Sequence, residues 1–153
     1  MIDVVLVAPE IPQNTGSVAR MCAATGIRLH LVHPLGFSID DRYLKRAGLD
    51  YWGDVCVGVH KDLSSLLEVV AGRPVYFFSK KASLTYTEVD VTANDVLVFG
   101  SESAGLPDHL LENFVSQLVR IPIRPGVRSL NLSAAVHIVA YHALSCLGFP
   151  GLP

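Results

Sequence analysis

The chain has 153 residues, half of them apolar and 17% charged, with a formal net charge of −2. That length and apolar content suffice for one compact domain with its own core and exclude a disordered tail, while the near-neutral balance excludes a global basic field for indiscriminate nucleic-acid binding. The three cysteines, Cys22, Cys56 and Cys146, are far apart and odd in number, which suits reduced thiols and a cytoplasmic location rather than a disulfide framework.

The first apolar run, residues 2–7, reads as a strand with no positive leader before it, so export is not expected. It leads into "APEIPQNTGSVARMCAATG" without the glycine spacing of a dinucleotide-binding turn. Asn14 or Thr15 can cap a helix over 17–25 that stops at Gly26, with Gly16 leaving its mouth open and Arg20 one turn inside. Arg20 is therefore a candidate for the crevice at the strand's carboxyl end, or else a surface charge in an ordinary ion pair. Strands over 29–32, 55–59 and 75–78 alternate with helices over 41–47 and 62–71, stopped by Gly48 and Gly72.

The run 96–99 lacks alternation, as a strand covered on both faces does, and it ends abruptly in "GSESAGLP". A nucleophile elbow at Ser103 needs glycine two residues earlier, where Ser101 stands. A phosphate loop needs lysine and a hydroxyl residue where Leu106 and Pro107 stand. Two readings survive: a loop whose main chain, freed of bulk at Gly100 and Gly105, closes on a small molecule, or a tight turn with no ligand. Pro107 starts a short helix after it.

A last strand, 118–121, leads through "PIRPGVR" to Ser129-Leu130-Asn131, which opens a helix over 132–147 ended by Gly148. Twelve of that helix's sixteen residues are apolar and none is charged, so it has no solvated stripe. It is either a central core helix or the interface of a homodimer. The uncharged span 130–153 is too broken by polar residues, glycine and proline to anchor in a membrane. Strand and helix in alternation predict an α/β fold, a mostly parallel sheet flanked by helices, in a single domain over 1–153. The pairs His30 with His33 and His137 with His142 lack the spacing of a zinc site, so no metal is expected, and Cys22 reads as a small core residue.

Asn14, Gly16 and Arg20, then "FGSESAGLP", then "RSLNLSAAVHIVAYHAL" resemble, in this order, the three motifs of the SPOUT or α/β-knot RNA methyltransferases. The lead-in and the segment "DDRYLKRAGLDYW" are similar to the subfamily that methylates the ribose of the tRNA wobble nucleotide, cytidine or modified uridine. The resemblance implies a C-terminal trefoil knot and S-adenosylmethionine as methyl donor. It implies an adenosine pocket built from main-chain groups at Phe78, Gly100, Ile121 and Leu130 together with Ser129, braced by Glu102 and Asn131. It also implies catalysis by Arg20, oriented by Asn14, on a ribose 2′-hydroxyl of the anticodon loop. Local clusters, Arg42 with Lys45 and Arg46, Lys80 with Lys81, and Arg124 with Arg128, are candidates for RNA contact or plain solvated charge. Tyr141 is either buried in an interface or a substrate-positioning side chain. Ribose methylation of ribosomal RNA and a catalytically silent RNA-binding dimer are the alternatives.

Overall fold

A computed structural model of the chain describes residues 1–40 and 52–153. The expected helix over 41–47, and with it Arg42, Lys45 and Arg46, lies outside the described residues. Among the described residues the sheet has seven strands: β1 (Asp3–Val7), β2 (Arg28–Val32), β3 (Val57–His60), β4 (Val75–Phe78), β5 (Leu84–Thr85), β6 (Val96–Phe99) and β7 (Leu118–Arg120). Their order is β3-β2-β1-β6-β4-β7-β5, and every pairing is parallel. The unalternating runs of β1 and β6 are buried at every position, as a doubly covered parallel sheet requires.

Among the described residues, two helices cover each face. Helices α1 (Pro12–Thr25) and α4 (Leu132–Cys146) bury Val18, Cys22, Val136 and Ala140 against Val4, Leu6, Leu29 and Leu97. Helices α2 (Leu63–Val69) and α3 (Asp108–Asn113) bury Leu66, Leu110 and Leu111 against Val5, Phe77 and Val98. The chain moves outward from β1 to β2 and β3, then returns to build the other half of the sheet from β4 onward. The reversal leaves a crevice at the carboxyl ends of β1 and β6, where open α/β sheets gather their ligands.

Three expectations need correction. Helix α1 starts at Pro12, not at residue 17, so Asn14 and Thr15 lie inside its first turn and neither caps it; Ile11 is the N-cap and makes no side-chain capping bond. Proline at the first helical position sacrifices only an N–H that would be unbonded anyway. Arg20 consequently stands two turns into the helix rather than one. The strand β5 had no sequence signal, since two residues are too few to show a period. Gly26 and Gly148 do take the left-handed conformation at helix ends, with φ of 73° and 72°.

Candidate functional site

The site grows from the loop after β6. A Cβ on Gly100 would lie 2.1 Å from the carbonyl carbon of Gly105 and 2.2 Å from the nitrogen of Leu106, so the loop folds back on itself only because residue 100 has no side chain. Ser101 and Gly105 then pair across the turn, with Gly105 N–H donating to Ser101 O at 2.9 Å and Gly105 at φ 68°. Gly100 therefore serves self-packing of the loop, a different reason from the close ligand approach that its position suggested.

This turn throws the Glu102 side chain toward the loop after β1. Its carboxylate accepts from Glu10 N–H at 2.7 Å, Ile11 N–H at 3.0 Å and Asn14 Nδ2 at 3.1 Å. An anion there supplies the cap that the α1 start lacks, and the helix dipole favours it. Asn14, buried, accepts at Oδ1 from Asn131 Nδ2 at 2.9 Å. Asn131 in turn caps α4, its Oδ1 accepting from Ser133 Oγ at 2.7 Å and Ala134 N–H at 3.3 Å. One chain of bonds, Glu102 to Asn14 to Asn131, thus joins the three motifs singled out in the sequence. Asn14 spends its amide on the other two loops, so its observed role is to brace them. A further link, absent from the sequence reading, is Ser103 Oγ donating to Glu10 Oε1 at 2.5 Å. The signal available was position: Glu10 and Ser103 follow strands that end on the same sheet edge.

Beneath the bracing lies a cleft of about 430 Å³, within the usual size of a small-molecule site. Phe78, Gly100, Glu102, Ile121, Ser129, Leu130 and Asn131, all seven candidates for the donor pocket, line it together with Asn14. Phe78 stacks on Phe99 with centroids 4.5 Å apart and ring planes 10° apart, giving the floor a flat apolar surface. Ser129 and Leu130 are exposed and so open to a ligand. S-adenosylmethionine needs an apolar slot for its adenine and polar cover for its charged amino-acid end. Phe78, Ile121, Leu130 and Leu132 provide the slot, and Lys80 and Arg128 provide cationic cover at the wall, so the residues fit the group.

The cations expected to contact RNA divide. Lys80, Lys81 and Arg128 line the cleft, whereas Arg124 does not and is exposed. Lys81 Nζ pairs with Asp108 at 2.6 Å, and that hydrogen bond and charge hold the Asp108 carboxyl below its ordinary value. Arg20 is exposed on α1, outside the residues lining the cleft. Tyr141 is 46% exposed on α4, beside Ile138 at 40%. Helix α4 thus covers only one face within its own chain, contrary to the expectation for a central core helix. Burial pushes the Cys22 thiol up to about 12, which removes it as a nucleophile at neutral pH. No group of three or more His, Cys, Asp or Glu that could hold a metal occurs among the described residues, and no helix there is long and apolar enough to cross a membrane.

The SpoU rRNA methylase family matches residues 1–141. A tRNA (cytidine(34)-2'-O)-methyltransferase of Burkholderia ambifaria is 47% identical over 99% of both chains. A solved structure concerning the 2-OH methylation of C/U34 on tRNA superposes with a TM-score of 0.90 at 44% identity, covering 97% of both chains. An AdoMet-bound rRNA methyltransferase from Sinorhizobium meliloti superposes with a TM-score of 0.83 at 26% identity, covering 95% of this chain and 56% of that one.

Proposed function

The chain belongs to the SpoU rRNA methylase family, and from that premise we propose that it is an S-adenosylmethionine-dependent methyltransferase acting on the ribose 2′-hydroxyl of the wobble nucleotide, position 34, in the tRNA anticodon loop. The carrying observation is the Glu102–Asn14–Asn131 chain, which draws three separated motifs around one cleft. A relative matched end to end at 47% identity and named for cytidine 34 supports this substrate. In this reading the whole of 1–153 is one catalytic domain working in the cytoplasm, and the C-terminal part of the chain threads into a trefoil knot.

When bound, S-adenosylmethionine supplies a methyl group already activated by its sulfonium. The protein's task is to align the acceptor and ease loss of its proton, and alignment alone is worth up to roughly 7–11 kcal/mol in well-oriented systems. Phe78, Gly100, Ile121, Ser129 and Leu130 hold the donor, while Glu102, Asn14 and Asn131 keep those loops in register. Arg20 presents a cationic guanidinium with several N–H donors. It meets the acceptor hydroxyl or the adjacent phosphate, so negative charge developing on the ribose oxygen is stabilised electrostatically.

Arg20 and the donor cleft come together through a homodimer in which α4 packs against a second copy. Ile138 and Tyr141, exposed on an uncharged helix, supply its apolar contact. Arg124, with Arg42, Lys45 and Arg46, engages the anticodon stem-loop. The test is methyl transfer from labelled S-adenosylmethionine to bulk tRNA and, in parallel, to ribosomal RNA, followed by mapping of the modified nucleotide. Label at position 34 supports the proposal, whereas label in ribosomal RNA alone, or none in any RNA, overturns it. In the same assay Arg20→Ala loses turnover by at least about a hundredfold while donor binding survives, the pattern of a group that acts in the transition state.

A further inference from the structure

Three cations line the cleft: Lys80, Lys81 and Arg128. Lys81 is already paired with Asp108. Lys80 and Arg128 form no ion pair among the described residues, and both donate to uncharged main-chain oxygens. Arg128 Nη2 reaches Ser103 O at 2.7 Å, and Lys80 Nζ reaches Arg128 O at 3.3 Å. These two bonds strap three loops, those after β4, β6 and β7, across one wall of the cleft. A charged donor facing a neutral carbonyl makes a weaker bond than it makes with an anion, and guanidinium presents a planar fork matched to the two oxygens of a carboxylate.

We propose that Arg128, with Lys80 beside it, is the receptor for the carboxylate of the methyl donor's amino-acid end, rather than a contact to RNA phosphate. The assignment rests on reading the cleft as the donor site. The main chain of Arg128 is held in place from its C-terminal side, because Asn131, three residues on, is fixed to Asn14. From that anchored position its side chain crosses the cleft to the 101–105 loop instead of pointing away from it. Both arginines are exposed, but Arg124, four residues earlier, lies off the cleft. A carboxylate entering beside the apolar surfaces of Ile123, Leu106 and Leu111 loses water and needs a charged partner in exchange. On its arrival the Arg128 guanidinium exchanges the Ser103 carbonyl for the stronger acceptor, which ties donor occupancy to the conformation of the glycine loop.

The experiment compares S-adenosylhomocysteine with its decarboxylated analogue by calorimetric titration on the full chain. The wild type is expected to bind S-adenosylhomocysteine at least about tenfold more tightly than the analogue, as a charge-assisted bond requires. Arg128→Met, which keeps the apolar stem, removes that preference and leaves the analogue's affinity unchanged; Arg128→Lys retains part of the preference. Affinity for tRNA, measured separately by filter binding, stays at the wild-type value in both variants. If Arg128→Met weakens both ligands equally, Arg128 is only a strap on the glycine loop and the proposal fails. If it weakens tRNA alone, the residue belongs to the RNA surface and the proposal fails too. If the wild type binds neither ligand, the donor-site reading of the cleft falls along with it.

Discussion

Two carboxylates, one at each edge of the sheet, solve different problems with donors of different charge. At the amino edge Asp3 is fully buried and accepts at Oδ2 from His30 Nε2 at 3.0 Å and Arg73 Nη1 at 2.5 Å, with Arg28 Nε 3.7 Å from Oδ1. Its partners are cationic or able to become so. Burial, the largest single influence, pushes the Asp3 carboxyl up, yet the hydrogen bonds and charges of His30 and Arg73 outweigh it and bring the value down to about 2. A carboxylate can only accept, so His30 carries its proton on Nε2, and its Nδ1, in the neutral ring, takes the hydrogen of His60 Nε2 at 2.9 Å. At the carboxyl edge Glu102 is half-buried and, among the described residues, accepts only from neutral groups, two main-chain N–H and the Asn14 amide. The first arrangement is an electrostatic lock for the fold. The second knits loops without fixing a formal charge pair, which leaves the neighbouring cations available to a ligand.

The contrast predicts that damage at the amino edge is read in stability and damage at the carboxyl edge in binding. Asp3→Asn should have the largest effect on stability, about 3 kcal/mol from a denaturant midpoint, because it leaves Arg73 and His30 without their shared anion; donor affinity of the folded protein should not move. A loss of affinity comparable to the loss of stability would erase the distinction. Gly100→Ala comes next. The new methyl meets the backbone of residues 105 and 106, so the loop must open, at a cost of about 2 kcal/mol typical of overpacking, and donor binding should fall below detection in a titration.

Acid titration separates the edges further. Because Asp3 is lowered from 3.8 to about 2 on folding, it stabilises the native state by about 2 kcal/mol above pH 4, and this stabilisation drains away as pH falls through about 2. His60 is held below its ordinary value by burial and by the charge of His30, so a proton it resists in the fold binds more readily in the unfolded chain. That contribution also declines on acidification, beginning as pH drops under about 6.5. Unfolding free energies of the wild type and Asp3→Asn, measured across this range, should converge toward low pH. Parallel curves would show that Asp3 is not the titrating group.

The amino edge was illegible in the sequence, while much of the carboxyl edge could be read there. The runs 75–78 and 96–99 coincide with β4 and β6; β6 is buried at every position and leaves an uninterrupted apolar signature, while β4 is apolar throughout although its burial alternates between full and partial. All seven donor-pocket candidates line one cleft because the motif resemblance fixed their relative positions as well as their chemistry. By contrast, Asp3, His30, His60 and Arg73 are spread over 71 positions of sequence and come together only through strand register: Asp3 opposite Arg28, His30 opposite Gly58. Even the glycine in that cluster has its meaning only in three dimensions, since a Cβ on Gly58 would sit 2.8 Å from His30 Nδ1. The start of α1 was misplaced for a related reason. Its cap comes from Glu102, about ninety residues away, and local propensity has no access to such a partner.

The smallest expected stability change is the most informative about the division of labour. Glu102→Gln preserves size and one acceptor oxygen but turns an amide N–H toward donors that previously met oxygen. The Glu10 N–H bonds Oε2 and the Ile11 N–H bonds Oε1, so whichever way the amide is turned, one main-chain donor faces another. The site is partly open to solvent, and water can take up part of the loss, so the cost to folding is about 1 kcal/mol. The cost to function is larger, because the displaced donor belongs to the segment that leads into the first turn of α1, where Asn14 holds Asn131 at the opening of α4. Donor affinity should fall by about tenfold while the thermal midpoint shifts by only a few degrees. Asp3→Asn should invert that ratio. If Glu102→Gln instead lowered stability as far as Asp3→Asn and left donor affinity intact, the Glu102 network would be a second lock for the fold, and the three motifs would be joined for folding rather than for binding.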